Sequence, residues 1–222
     1  GGIAAKSLNI PYIANITGLG SAVENEGLMQ KLSVVLYKIA FKKINTVFFQ
    51  NKENLEFFKN KKIALGKHKL LPGSGVNLEQ FSLLEYPESK TIEFIFISRI
   101  MKEKGIDQYL EAATYIRKKY QNTRFHVLGF CEEKEYEKKL YELEKEGIIK
   151  YHGMQRDIRP FLKSTHCTIH PTYYPEGMSN VLLESAASGR PIITTKRRGC
   201  KEIVDNGLNG YLVEEENSID LI

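Results

Sequence analysis

Ile92-Glu93-Phe94-Ile95-Phe96-Ile97-Ser98-Arg99-Ile100-Met101-Lys102-Glu103-Lys104-Gly105-Ile106-Asp107 changes character at Ser98. The first six residues are nearly all apolar, as expected of a central strand covered on both faces. A charged loop follows, and a helix opens at Gly105-Ile106-Asp107. The same alternation runs through the chain. Strand-like runs fall at 12–16, 46–50, 91–97, 124–128, 148–152, 167–170, 191–195 and 211–213. Helix-like runs fall at 28–44, 51–60, 106–120, 133–146, 158–163, 180–188 and 201–205. Such alternation argues for an α/β protein with parallel sheets and helices on both faces.

Two polar breaks interrupt the series. Leu71-Pro72-Gly73-Ser74-Gly75 is turn chemistry, and Leu84-Glu85-Tyr86-Pro87-Glu88-Ser89 is a second break, after which a fresh strand–helix series begins. Residues 1–75 therefore read as the end of one Rossmann-like domain and 76–222 as most of a second. The chain opens without methionine and stops at Ser218-Ile219-Asp220-Leu221-Ile222, where a helix begins. Both ends read as cut, and a chain holding only part of its first domain is expected to be inactive by itself.

Composition bounds the class. An apolar fraction of 42% and a charged fraction of 27% suit a soluble globular protein. No run of 18 or more uninterrupted apolar residues occurs, which argues against a membrane-spanning helix. Cys131, Cys167 and Cys200 are odd in number and widely spaced, so they read as buried reduced thiols of a cytosolic protein. No Cys/His cluster has zinc spacing. The net charge of +5 is uneven: between Lys31 and Lys69 stand ten lysines against only Glu53 and Glu56. Such a patch suits an anionic membrane or a phosphorylated substrate, or is a solvated surface. Nucleic acid is set aside because no binding motif accompanies the patch.

Two segments carry chemistry. Pro175-Glu176-Gly177-Met178-Ser179-Asn180-Val181-Leu182-Leu183-Glu184 follows the strand at 167–170 and runs into a helix. In open α/β sheets ligands bind beyond the carboxyl ends of the strands, and a helix N-terminus there offers free N–H groups to an anion. Gly177 allows close backbone approach. Glu184, one turn into the helix, can accept from vicinal hydroxyls, whereas Glu176 precedes the helix and points elsewhere. The second segment is the loop from Ser98 to Gly105. Arg99 and Lys104, read as exposed loop cations, can neutralise a diphosphate. Each segment alone is equally compatible with solvated charges. His126, His152, His166 and His170 read as structural histidines.

Together the segments resemble the donor site of family 4 retaining glycosyltransferases, which share the GT-B fold. The likeness extends along the whole chain. Pro72-Gly73-Ser74-Gly75-Val76-Asn77 looks like the interdomain segment, Tyr151-His152-Gly153 like the strand end near the base, and Asn206-Gly207-Leu208-Asn209-Gly210-Tyr211 like a late strand segment. Asn15-Ile16-Thr17-Gly18-Leu19-Gly20 and Phe48-Phe49-Gln50-Asn51 resemble bacterial enzymes that build capsule, O-antigen or other glycans on a polyprenyl diphosphate.

The resemblance implies a GT-B protein of two Rossmann-like domains with parallel sheets, the first only partly present. It implies transfer of a hexose or N-acetylhexosamine from a UDP-sugar to a glycan or polyprenyl-diphosphate-linked acceptor, with retention. Arg99 and Lys104 would hold the diphosphate, and Gly153, Met154 and Gln155 would lie near the base. The backbone of Gly177, Met178, Ser179 and Asn180 would cradle phosphate and sugar. Glu176 would contact the donor sugar, and Glu184 would hold the ribose. Arg99, Lys104 and Glu176 would be the catalytic groups. No metal or other cofactor is expected. The setting would be cytoplasmic, at the inner face of the membrane. Two alternatives stand beside it. A nicotinamide oxidoreductase would share the fold class, but the third glycine of its fingerprint is missing after Gly73-Ser74-Gly75. The other is a non-catalytic nucleotide-sugar-binding fragment.

Overall fold

The computed structural model describes residues 1–71 and 73–222, with Ser21 described in its backbone alone. Pro72, part of the turn expected at 71–75, lies outside the described residues. The contacts divide the chain into two compact units. One comprises Gly1–Gly75 and Tyr174–Asn180, the other Val76–Tyr173 and Val181–Ile222.

The first unit contains α1 (Gly2–Ser7), β1 (Ile13–Ile16), α2 (Ser21–Glu24), α3 (Leu28–Ala40), β2 (Thr46–Phe49), α4 (Lys52–Asn60) and β3 (His68–Leu70). Its strands pair in parallel in the order β1-β2-β3, in a register that sets Ile13 beside Thr46 and Val47 beside His68. Ile44, Val47, Phe49, Phe58 and Ile63 are fully buried at its core. The helix expected at 28–44 ends at Ala40. Phe41 and Ile44 extend its apolar pattern but enter the core from a turn instead. Leu28, Met29, Leu32, Val35, Leu36 and Ile39 of α3 are exposed.

The second unit contains β4 (Ile92–Ile97), α5 (Ile106–Lys119), β5 (Thr123–Leu128), α6 (Glu135–Lys145), β6 (Ile149–Tyr151), α7 (Arg159–Ser164), β7 (Cys167–His170), β8 (Ile192–Thr195), β9 (Gly210–Val213) and α9 (Ser218–Leu221). Helix α8 (Asn180–Ala187) begins at the last residue of the segment that packs with the first unit. All six strands are parallel, in the order β6-β5-β4-β7-β8-β9. The α/β class with parallel sheets is therefore what the alternation predicted. One face of the sheet packs Phe96, Phe125 and Val127 against Ile106, Tyr109 and Leu110 of α5. The other packs Ile95, Ile97 and Leu128 against Leu162 of α7. Residues 201–205, expected as helix, reduce to a single 3₁₀ turn at Lys201–Ile203.

His126, His152 and His166 are hydrogen-bonded to the sheet or to one another. Imidazole nitrogens of His126 lie 2.9 Å from Glu93 Oε2 and 2.9 Å from His152 Nε2. His166 Nδ1 accepts the Glu93 N–H at 3.1 Å. Among the described residues no cysteine is in a disulfide; Cys167 and Cys200 are buried and Cys131 is partly exposed. No helix among them is long and apolar enough to cross a membrane.

Candidate active site

Strand order reverses between β4 and β7, so the crevice that binds ligands in such sheets opens at the carboxyl ends of these strands. The loop leaving β4 is held there from two sides. On one side it continues to pair with the loop after β5: Ile100 donates its N–H to Phe130 O at 2.8 Å, and Glu132 donates to Ile100 O at 3.0 Å. Gly129 is obligatory in that pairing, because a Cβ on it would stand 1.7 Å from Ser98 O. On the other side the carbonyl of Glu103 accepts the Tyr173 N–H at 2.9 Å and the Thr172 hydroxyl at 3.2 Å. Gly105, at φ +77°, ends the 3₁₀ turn Lys102–Lys104, and a Cβ there would meet Pro171 O at 2.1 Å. The sequence after β4 thus builds a rigid loop and starts α5 at the crevice.

Arg99 leaves this loop partly exposed, with Nη1 2.6 Å from Glu132 Oε2. Lys104 departs from the expectation of an exposed cation: it is only 7% exposed, because the 3₁₀ turn that carries it is tied down by residues 171–173. Gly153, at φ +65°, accepts the Gly129 N–H at 2.9 Å and so turns the chain beyond β6. Met154 and Gln155 follow, and Gln155 Nε2 donates to His152 O at 2.6 Å. Arg99, Gly129, Met154 and Gln155 together line a hollow of about 170 Å³ over the ends of β4 and β5. Glu184, on α8, lines a neighbouring hollow of about 360 Å³ with Ile97, Arg156 and Ile158. Burial raises the Glu184 carboxyl above its ordinary range. A half-desolvated carboxylate of this kind is a strong acceptor for ligand hydroxyls that replace its lost water. A third hollow, of about 430 Å³, lies between α5 and α6 and is lined by none of the strand-end loops.

Glu176, Gly177, Met178, Ser179 and Asn180 lie in the segment that packs with the first unit. Gly177 does make a close backbone approach, but to protein. A Cβ on it would stand 1.7 Å from Thr17 O and 2.4 Å from Gln50 Oε1. Ser179 is buried and directly precedes α8, and Asn180 is exposed as its first residue. The structure therefore gathers Arg99, Gly153, Met154 and Gln155 at the strand ends of the second unit, places Glu184 beside them, and sets 176–179 on the first unit.

Several contributors escape the sequence reading. Glu132 is an ion-pair partner of Arg99, Gly129 shapes the floor of the hollow, and Asn51 donates to Gly177 O. Only the glycine carried a usable signal, as a Gly directly after an apolar strand. Among the described residues no group of three or more His, Cys, Asp or Glu side chains is placed to hold a metal ion.

The model of the family described as Glycosyl transferases group 1 matches residues 81–222. The chain is 29% identical to the N,N'-diacetylbacillosaminyl-diphospho-undecaprenol alpha-1,3-N-acetylgalactosaminyltransferase of Campylobacter jejuni, over 99% of this chain and 61% of that protein. It is 28% identical to the capsular polysaccharide biosynthesis glycosyltransferase CapM of Staphylococcus aureus, over 64% of this chain and 40% of that one. The chain thus spans about three-fifths or less of the length of these curated relatives. Among solved structures, Anabaena HepE in complex with UDP-glucose superposes with a TM-score of 0.83 at 18% identity, covering 99% of this chain and 63% of that one. A likeness at that identity speaks for the fold.

Proposed function

Because the chain belongs to the glycosyl transferases group 1 family and has the GT-B fold, we propose that the whole protein transfers a hexose or N-acetylhexosamine from a UDP-sugar. The acceptor in this reading is a glycan or a polyprenyl-diphosphate-linked sugar in surface-polysaccharide assembly, and the anomeric configuration is retained. The observation that carries the reading is the strand-end site of the second unit, where Arg99, the 153–155 turn and the half-buried Glu184 line adjoining hollows at the carboxyl end of β4, the strand beside the sheet's switch point. The printed activity of the Campylobacter jejuni relative supports the acceptor class.

Each group has a task in this reaction. Glu184 accepts from the ribose hydroxyls. The 153–155 turn receives the base. The bond between the sugar's anomeric carbon and the diphosphate breaks, UDP departs with the electron pair, and the acceptor hydroxyl oxygen forms the new bond as its proton passes to the departing diphosphate. Arg99 and Lys104 stabilise the charge that accumulates on the departing diphosphate, which is the largest electrostatic demand of the step. With two fixed cations in that role, the reaction runs without a metal. Glu176 contacts the donor sugar. The exposed apolar residues of α3, interleaved with Lys31 and Lys38, support contact of the whole protein with the anionic inner face of the membrane, where a lipid-linked acceptor is available.

Calorimetric titration of the whole protein in the presence of a chelator is expected to show UDP binding and no NAD binding. Tight NAD binding with no response to any nucleoside diphosphate would overturn this reading.

A further inference from the structure

The three parallel strands of the first unit all aim their carboxyl ends at one short turn, residues 175–178. From the exit of β1, Thr17 and Gly18 pack against it. A Cβ on Gly177 would collide with Thr17 O, and one on Gly18 would lie 3.0 Å from Pro175 O. From the exit of β3, Gly73 meets the Met178 side chain, which stands 2.5 Å from where its Cβ would be. The exit of β2 makes the polar contacts. Gln50 is 3% exposed; its Nε2 donates to Ser74 Oγ at 3.2 Å, and its Oε1 faces Gly177.

Asn51, also 3% exposed, does two things with one amide. Its Oδ1 accepts the Asn54 N–H at 2.8 Å and so caps α4. Its Nδ2 donates to Gly177 O at 2.9 Å and to Glu176 O at 3.3 Å. Capping α4 needs an oxygen only, and Ser, Thr or Asp would serve as well. Holding two consecutive carbonyls needs a two-hydrogen donor whose orientation is fixed, and the cap fixes it. The glycine at 177 and the amide at 51 therefore answer one requirement, a single placement of the 176–177 backbone.

We infer that Asn51 is a positioning residue for the transfer reaction, setting through Glu176 O and Gly177 O the backbone from which the Glu176 side chain reaches the donor sugar. This rests on the donor-site reading above. The Asn51 amide acts through that backbone, its oxygen engaged by the Asn54 N–H and its nitrogen by the two carbonyls. Its effect falls on the sugar-dependent step and not on UDP binding. Misplacing a reacting group by about 1 Å costs on the order of a hundredfold in rate.

The test uses Asn51→Ser and Asn51→Asp in the whole protein. Both keep an oxygen to cap α4, and both lose the donation to the two carbonyls; Asp also sets a carboxylate oxygen against them. Thermal midpoint, UDP affinity by calorimetry, and kcat and KM for the UDP-sugar are measured side by side. The expected result for Asn51→Ser is a midpoint and a UDP affinity close to the parent's, with kcat lowered about ten- to a hundredfold. Asn51→Asp is expected to lower kcat at least as far. Parental kcat in either folded variant overturns the inference. So does a loss of UDP affinity in step with kcat, which would make Asn51 a general support of the fold. A parent that binds no UDP defeats the donor reading itself, and the role assigned to Asn51 falls with it.

Discussion

Arg99 and Lys104 leave the same strand and enter different surroundings. Arg99 is about one-third exposed and pairs with an exposed Glu132. Such a pair contributes about 0–1 kcal/mol to stability, whereas a charge-assisted contact to a diphosphate is worth about 1.5–3 kcal/mol. Arg99→Ala should therefore leave the melting temperature nearly unchanged and lower turnover roughly ten- to a hundredfold. Lys104, buried in its 3₁₀ turn, should behave otherwise: Lys104→Ala is expected to lower turnover and melting temperature together. Thermal melts run beside steady-state assays separate the two patterns, and a Lys104→Ala protein as stable as the parent would contradict the burial argument. Residue identities at these positions were legible in the sequence; their environments were not. The burial of Lys104 comes from hydrogen bonds between Glu103 and residues 172–173, which no local pattern announces. Gly177 was legible as a place of close approach, but that the approaching atom is Thr17 O depends on the fold.

At the scale of elements, the sheet of the second unit holds a pH-sensitive column. His126 on β5 stands between Glu93 on β4 and His152 beyond β6, with Arg124, Lys150 and Glu144 as the nearby charges. Burial, then the neighbouring His126, holds His152 down to about 4 from 6.5, and burial lowers His126 as well, outweighing Glu93. The unfolded chain takes up these protons first as the pH falls. Stability contributed by the neutral pair is thus fully present above about 6.5 and is lost between about 6.5 and 4. Melting temperature measured across this window should fall for the parent and fall less for His152→Asn; identical slopes would show that His152 does not carry the effect. The strands around this column were legible almost to the residue, because buried parallel strands are runs of apolar β-formers. Strand β3 was missed. His68-Lys69-Leu70 is short, lies at the sheet edge and has no buried residue, so its pairing with β2 is its only sign. Likewise α1 has no buried residue and no periodic face to announce it.

For the molecule as a whole, two parallel sheets, each built on apolar strands, provide two sets of carboxyl-end loops. Those of the second unit line the hollows at Arg99 and Glu184, and those of the first hold the 175–178 turn. Alternation of strand and helix made the architecture legible, and the spacing of Glu176 and Glu184 with the loop from Arg99 to Gly105 made the family legible. The sequence reading put Tyr174–Asn180 in the second domain with the rest of 76–222, but the segment packs with the first unit although strands of the second flank it along the chain. The proposed reaction is retaining transfer from a UDP-sugar. Its most direct test is incubation of the whole protein with a panel of labelled UDP-sugars and a polyprenyl-diphosphate-linked sugar, in chelator, followed by NMR of the product's new glycosidic bond. The expected result is a labelled lipid-linked product whose new bond has the anomeric configuration of the donor. Inversion at that carbon, or transfer from no UDP-sugar in the panel, would contradict it.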